Sequence, residues 1–211
     1  MSVNLQKGQK VDLTKGNSGL RRVMVGLGWA EATAPPQQKG FLSGLFSGGK
    51  KEEYDLDAMA FLLDKNGRIV STGDVVFFNN LNHSSGCVKH QGDNLVGGGG
   101  GDDEQIMIDL ANLPQNYDKI VVLVSIYKAT EKHQHFGVIS RSHIRLLDAD
   151  TNNEICVYNL SENYSGMTAL VFGELYRQGG DWKFGAVGQA LQQWSVAELA
   201  ERYGLSRSSW S

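Results

Sequence analysis

From Ala169 to Asp181 the chain reads ALVFGELYRQGGD, a run of apolar, β-branched and aromatic residues to Tyr176 followed by the turn-forming Gly179-Gly180-Asp181. Side chains of this kind fit a pleated, half-buried surface, and paired glycines supply the backbone freedom of a tight turn. The same grammar recurs along the chain. Val23–Trp29 (VMVGLGW), Ala58–Leu63, Val75–Phe78, Ile120–Tyr127 and Ile155–Tyr158 all read as short strands. Asp64-Lys65-Asn66-Gly67 closes one of them, and Asp150-Thr151-Asn152-Asn153 sits between two apolar runs as a hairpin signal. Many strands with little helix between them favour an all-β, antiparallel β-sandwich over a βαβ arrangement.

The 211 residues suffice for one core and require no second domain, so residues 1–211 are expected to form a single sandwich domain. Two segments depart from the strand pattern. Residues 34–53 (APPQQKGFLSGLFSGGKKEE) mix proline, glycine, serine and lysine and read as a mobile surface insertion. Its Phe41, Leu42, Leu45 and Phe46 either pack back on the domain or touch a partner or membrane surface. Near the end, Ser195-Val196-Ala197-Glu198 is a capping box. Val196, Leu199, Ala200 and Tyr203 then share a helical face, and Gly204 offers a left-handed stop. A short amphipathic helix over about 195–204 is therefore predicted to dock on the sandwich.

Composition narrows the function. A net charge of −3 argues against a nucleic-acid binder, which normally carries a basic surplus. The start, MSVNLQKGQKVDL, has no apolar signal region, and no stretch reaches transmembrane length. Cys87 and Cys156 are far apart and form no disulfide framework. The cytoplasm is the expected compartment.

The 26 glycines are concentrated in particular loops, above all in Gly92–Asp109, GDNLVGGGGGDDEQIMID. Asp93 and Asn94 precede the glycine run Gly97–Gly101, and Asp102, Asp103 and Glu104 follow it before alternation resumes at Ile106 and Ile108. Adjacent carboxylates repel one another, and a cation relieves that repulsion. Ca²⁺ suits such a set, since it takes about 6–8 oxygens in flexible geometry, backbone carbonyls included. Upstream, Asp55 and Asp57 would share a face if Asp55-Leu56-Asp57 is extended. Taken alone, the run reads equally as a solvated loop. It is not an EF-hand, because Asp57 is followed by Ala58-Met59-Ala60.

Tyr54-Asp55-Leu56-Asp57-Ala58, Phe77-Phe78-Asn79-Asn80-Leu81, Gly92-Asp93-Asn94, Gly101-Asp102-Asp103-Glu104 and Phe172-Gly173-Glu174-Leu175-Tyr176-Arg177 occur in that order. In this the chain resembles the TerD family from Val3 to about Gly188. The resemblance implies a β-sandwich that binds calcium at acidic loops and is linked to resistance to tellurite and other stresses. It further implies a ligand set of Asp55, Asp57, Asp93, Asn94, Asp102, Asp103 and Glu104, with Leu56 adding its backbone carbonyl. Two features depart from the family pattern. The glycine loop lacks the extra acids that relatives often carry there, and the 34–53 insertion is longer than the usual connection.

Other signals are weaker. Gly44–Lys51 (GLFSGGKK) nearly spells a P-loop, but Lys51 stands where a Ser or Thr must hold Mg²⁺. His133 with His135, and His83 with Cys87 and His90, fall short of a zinc ligand set and read as packed or solvated. Glu174 reads as an outward strand residue paired with Arg177 or a nearby lysine. No nucleophile elbow or metalloprotease helix is present, so a non-enzyme is expected. The leading expectation is a calcium-dependent binding or scaffold module for protein partners, other TerD-like chains among them. The alternative is a metal-dependent enzyme acting on a small oxyanion or phosphate substrate, which an oxygen-only, redox-inert cluster disfavours.

Overall fold

A computed structural model of the chain describes residues 2–16, 19–31, 54–92, 102–160, 162, 164–192 and 195–210. In chain order the strands are β1 (Val3–Leu5), β2 (Lys10–Asp12), β3 (Arg22–Glu31), β4 (Leu56–Leu63), β5 (Val75–Val76), β6 (Val88–His90) and β7 (Glu104–Asp109). They continue as β8 (Lys119–Ile126), β9 (Ile139–Asp148), β10 (Glu154–Asn159), β11 (Ala169–Gln178) and β12 (Asp181–Leu191), followed by helix α1 (Val196–Glu201).

The strands form two six-stranded sheets, ordered β1-β10-β9-β3-β7-β6 and β2-β12-β11-β8-β4-β5. All strand pairs are antiparallel except β1 with β10. The expected sandwich is what forms. Between the sheets, Val23, Val25, Leu27 and Trp29 of β3 and Ile106 and Ile108 of β7 meet Leu56, Ala58, Ala60 and Leu62 of β4 and Val122 and Val124 of β8. Ala58–Leu63 of β4 and Ile120–Val124 of β8 read as unbroken apolar runs because both of their faces are covered. Their outward residues Met59, Phe61, Val121 and Leu123 lie under Leu199 and Ala200 of α1.

The helix is shorter than the span read from sequence, and of the expected capping box the Ser195 half is seen, while Glu198 pairs with Arg207. Ser195 accepts from the Glu198 amide at 3.2 Å, and Gly204 takes φ +88° just beyond the last turn. Val196 and Tyr203 pack with Leu199 and Ala200 on the outer face of the second sheet. No helix among the described residues is long and apolar enough to cross a membrane. The 34–53 insertion, with its Phe41–Phe46 surface and the P-loop-like segment, lies outside the described residues.

Candidate metal centre

Alternation along β7 turns Glu104, Ile106 and Ile108 inward. Glu104 is 2 % exposed, and its Oε2 accepts the Ala58 amide of β4, so this side chain spans from the first sheet to the second. The Ala58 amide makes this bond because β5 pairs only with Ala60 and Phe61, so that among the described residues no strand pairs with the start of β4 on that side. On the other side of β4, the Asp55 carbonyl accepts from Tyr127 at 2.8 Å. Strand geometry then points the Leu56 carbonyl to the same edge as the Ala58 amide, towards Glu104.

His90 of β6 completes the corner. Its Nε2 lies 3.6 Å from Glu104 Oε2, with both side chains buried. Because its Nδ1 accepts from the Gly92 amide at 3.2 Å, the proton of the neutral ring is on Nε2 and faces the carboxylate. His90 therefore offers no lone pair to a metal here. The donors on the two strand starts are oxygens, and such a hard set fits Ca²⁺.

The three consecutive acids diverge. Asp103 accepts the Trp29 amide at 2.8 Å, and its own amide donates to Leu27 at 2.7 Å, extending the β3–β7 pairing. Asp102 lies on the outer face of the first sheet, where Arg145 of β9 donates to it from Nε at 2.6 Å and from Nη2 at 3.0 Å. His143 Nε2 stands 3.7 Å from the same carboxylate. Burial alone would raise the Asp102 carboxyl. The nearby His143 ring, the Arg145 hydrogen bonds and guanidinium charge, and Gln105 outweigh it and hold the group at about 2.

Gly26 and Gly28 explain how these side chains reach one another. In VMVGLGW the odd positions face the core and the two glycines face outward. A side chain at Gly26 would overlap the Asp102 carboxylate, and one at Gly28 the His143 ring. The glycines open a channel across β3 through which β7 and β9 pair their charges.

The ligand set implied by the resemblance is thus only partly drawn together. Glu104 and the edge of β4 with Leu56 meet; Asp102 is committed to Arg145; Asp57, 5 % exposed, projects on the face of β4 opposite Ala58. Asp55 precedes β4 and is half-buried. Asp93, Asn94 and the glycine run lie outside the described residues. Among the described residues, no group of three His, Cys, Asp or Glu side chains converges as a metal cage.

Of the weaker signals, His83 is buried with Nε2 3.3 Å from Asp74, which also accepts the Tyr117 hydroxyl at 2.7 Å. Cys87 turns its sulfur to the Ser85 carbonyl. His135 accepts the Gly137 amide at 3.0 Å, and His133 takes φ +52° in a turn. Glu174 pairs with Lys119 at 2.7 Å, while Arg177 donates to the Leu113 and Tyr117 carbonyls and stacks on Trp182. The sequence reading missed Arg145 and His143, and named His90 only as part of an incomplete zinc set. The alternation of Ser142, Ile144 and Leu146 with His143 and Arg145 was the available signal for the first two.

The TerD domain model matches residues 1–203. The chain is 43 % identical over 203 residues to the stress response protein SCP2 of Bacillus subtilis (strain 168), covering 96 % of this chain and 100 % of that one. It is 41 % identical over 208 residues to the tellurium resistance protein TerD of Serratia marcescens, covering 99 % and 100 %. A solved homologue of telluride resistance protein (TerD) from Streptomyces coelicolor A3(2) shares the fold, with TM-score 0.60 at 22 % identity over 84 % of this chain and 94 % of that one.

Proposed function

The chain belongs to the TerD family, whose relatives here are named as tellurium resistance and stress response proteins, and from that premise we propose that it is a cytoplasmic calcium-binding stress protein. Glu104 carries the reading: a buried carboxylate at the start of β4 that joins the two sheets, beside an inward-facing Leu56 carbonyl. Calcium, when bound, supplies a fixed double positive charge that offsets the acids at the two strand starts. Glu104 and the Leu56 carbonyl would hold it from the sandwich, with Asp55, Asp93, Asn94 and Asp103 as the further oxygen donors, while Asp57, on the opposite face of β4, would not reach it. Asp102 has its charge met by Arg145 and serves as a positioning residue, fixing the start of β7.

The protein acts as a binding or scaffold module, in which the ion orders the acidic corner for protein partners, other TerD-domain chains among them. Glu104→Gln tests this in cells. Glutamine still accepts the Ala58 amide, so the variant is expected to accumulate normally but to lose protection of a deletion strain against tellurite. Full protection by the variant would refute a calcium-dependent role.

A further inference from the structure

Among the described residues, α1 covers one end of the outer face of the second sheet. α1 lies over Met59, Phe61, Val121 and Leu123, while across β8, β11, β12 and β2 a cavity of about 480 Å³ remains open. Its lining includes Lys7, Lys10, Lys119, Glu174, Tyr176 and Gly185. Strand register assembles this set. Lys10 and Glu174 both stand opposite Gly185, and Lys119 stands opposite Tyr176. Directly paired residues share a face, so the three lysines are brought to the face that carries Tyr176 by β2, β8 and the β1–β2 turn.

The charges are unevenly engaged. Lys119 holds Glu174 at 2.7 Å, and Lys7 pairs at 2.9 Å with Glu162, outside the cavity. Among the described residues Lys10 forms no ion pair, and its Nζ lies 5.4 Å from the centre of the Tyr176 ring. In a chain of net charge −3, this hollow gathers three lysines against one carboxylate. Lysines on a convex surface are ordinarily just solvated. A concave wall focuses their field and adds apolar area, which is how small-molecule sites select an anion.

We infer that this cavity binds a small phosphate ester carrying a planar ring. Its volume falls in the range of about 300–1,000 Å³ typical of small-molecule sites, and it is too large for a bare oxyanion. Lys10 supplies the charge-assisted donor to the phosphate, and Lys7, held by Glu162 at the rim, adds to the positive field. The Tyr176 face takes the ring by offset stacking. Glu174, held in place by Lys119, accepts from an N–H or O–H on the ligand. Gly185 keeps the space open: a Cβ there would stand 3.6 Å from Lys10 Cγ and 3.7 Å from Tyr176 Cε1, ordinary contact distances, so only a longer side chain would fill the hollow. This site is separate from the β4 edge and does not depend on calcium.

Fluorescence anisotropy of 1-naphthyl phosphate, titrated with the full chain, tests the inference. Saturable binding is expected, tighter than that of inorganic phosphate measured by competition and weakened by added salt. Lys10→Glu and Gly185→Leu are each expected to weaken it at least about tenfold, the loss of a charge-assisted contact or of the space itself. Lys65→Glu, on the Asp64–Gly67 turn, is expected to leave it within about twofold, since screening confines a lone charge to its neighbourhood. Should Gly185→Leu fail to fold, the exposed Lys10→Glu decides alone. Absence of saturable binding, or equal weakening by Lys10→Glu and Lys65→Glu, would overturn the inference.

Discussion

Asp102, Asp103 and Glu104 are adjacent in sequence, yet each meets different surroundings. Strand alternation turns Glu104 inward, while the bend at Asp103, ahead of β7, carries Asp102 to the outer face, so their repulsion is relieved by separation as well as by partners. Asp102 is the clearest case: its side chain is 1 % exposed and that of Arg145 is 30 % exposed. Removing one partner of such a pair leaves a charge without its complement, and partial exposure of the guanidinium moderates the cost. Asp102→Ala should therefore lower the unfolding free energy by about 2 kcal/mol at neutral pH in urea titrations. The pH dependence has a definite sign. The folded carboxyl, at about 2, lies below its ordinary value of 3.8, so its contribution is complete above about pH 4 and is lost as pH falls towards 2. Asp74 is shifted downward too, because the hydrogen bonds from Tyr117, Ser71, His83 and Val70 outweigh its burial. The wild type should lose stability over that acid window, and Asp102→Ala should lose less of it. An identical acid profile in the two proteins would show that the Arg145 pair contributes nothing. The acids were legible from the sequence as a group. Their separate partners were not, because Arg145 is 43 residues away from Asp102 and is brought near only by β9.

The elements were legible where apolar content was high. β3, β4, β8 and β11 follow the runs read from sequence, whereas the reading Val75–Phe78 shrinks to Val75–Val76 and Ile155–Tyr158 grows to Glu154–Asn159. β9 and β12 were not read as strands. The first carries polar residues such as His143 and Arg145 on its outer face, and the second has Gly185 and Gly188, which dilute strand propensity. β1, β2 and β6 are three residues each and owe their form to the strands they pair with. α1 was legible because its start rests on local chemistry. Six residues are too few for a helix to be stable alone, so its docking on Phe61 and Val121 and its cap must sustain it. Ser195→Ala removes the acceptor for the Glu198 amide and should cost about 1 kcal/mol. Leu199→Ala opens a hole under the helix and should cost about 2–5 kcal/mol. Chemical denaturation of the two variants would check the order, and a larger loss from the cap than from Leu199 would contradict this account of the packing.

At the scale of the whole molecule, the Glu104 side chain leaves one sheet to bond β4 of the other. An ion held there by oxygens from both sheets would bind the folded chain and not the unfolded one, raising stability with concentration. Magnesium, which demands tighter octahedral geometry and sheds water reluctantly, should raise the melting temperature less than calcium does at equal concentration. Equal shifts from the two ions would argue against a flexible oxygen cage. The glycine loop bears on affinity, since calcium binding strengthens with ligand charge and site rigidity. The most direct test is a calorimetric calcium titration of the wild type beside Glu104→Gln, with magnesium present as competitor. The expected result is saturable binding to the wild type that persists in magnesium and is weakened at least about tenfold in Glu104→Gln, since one charged ligand is lost while the Ala58 bond is kept. No heat of binding in the wild type, or equal affinity in the two proteins, would contradict it.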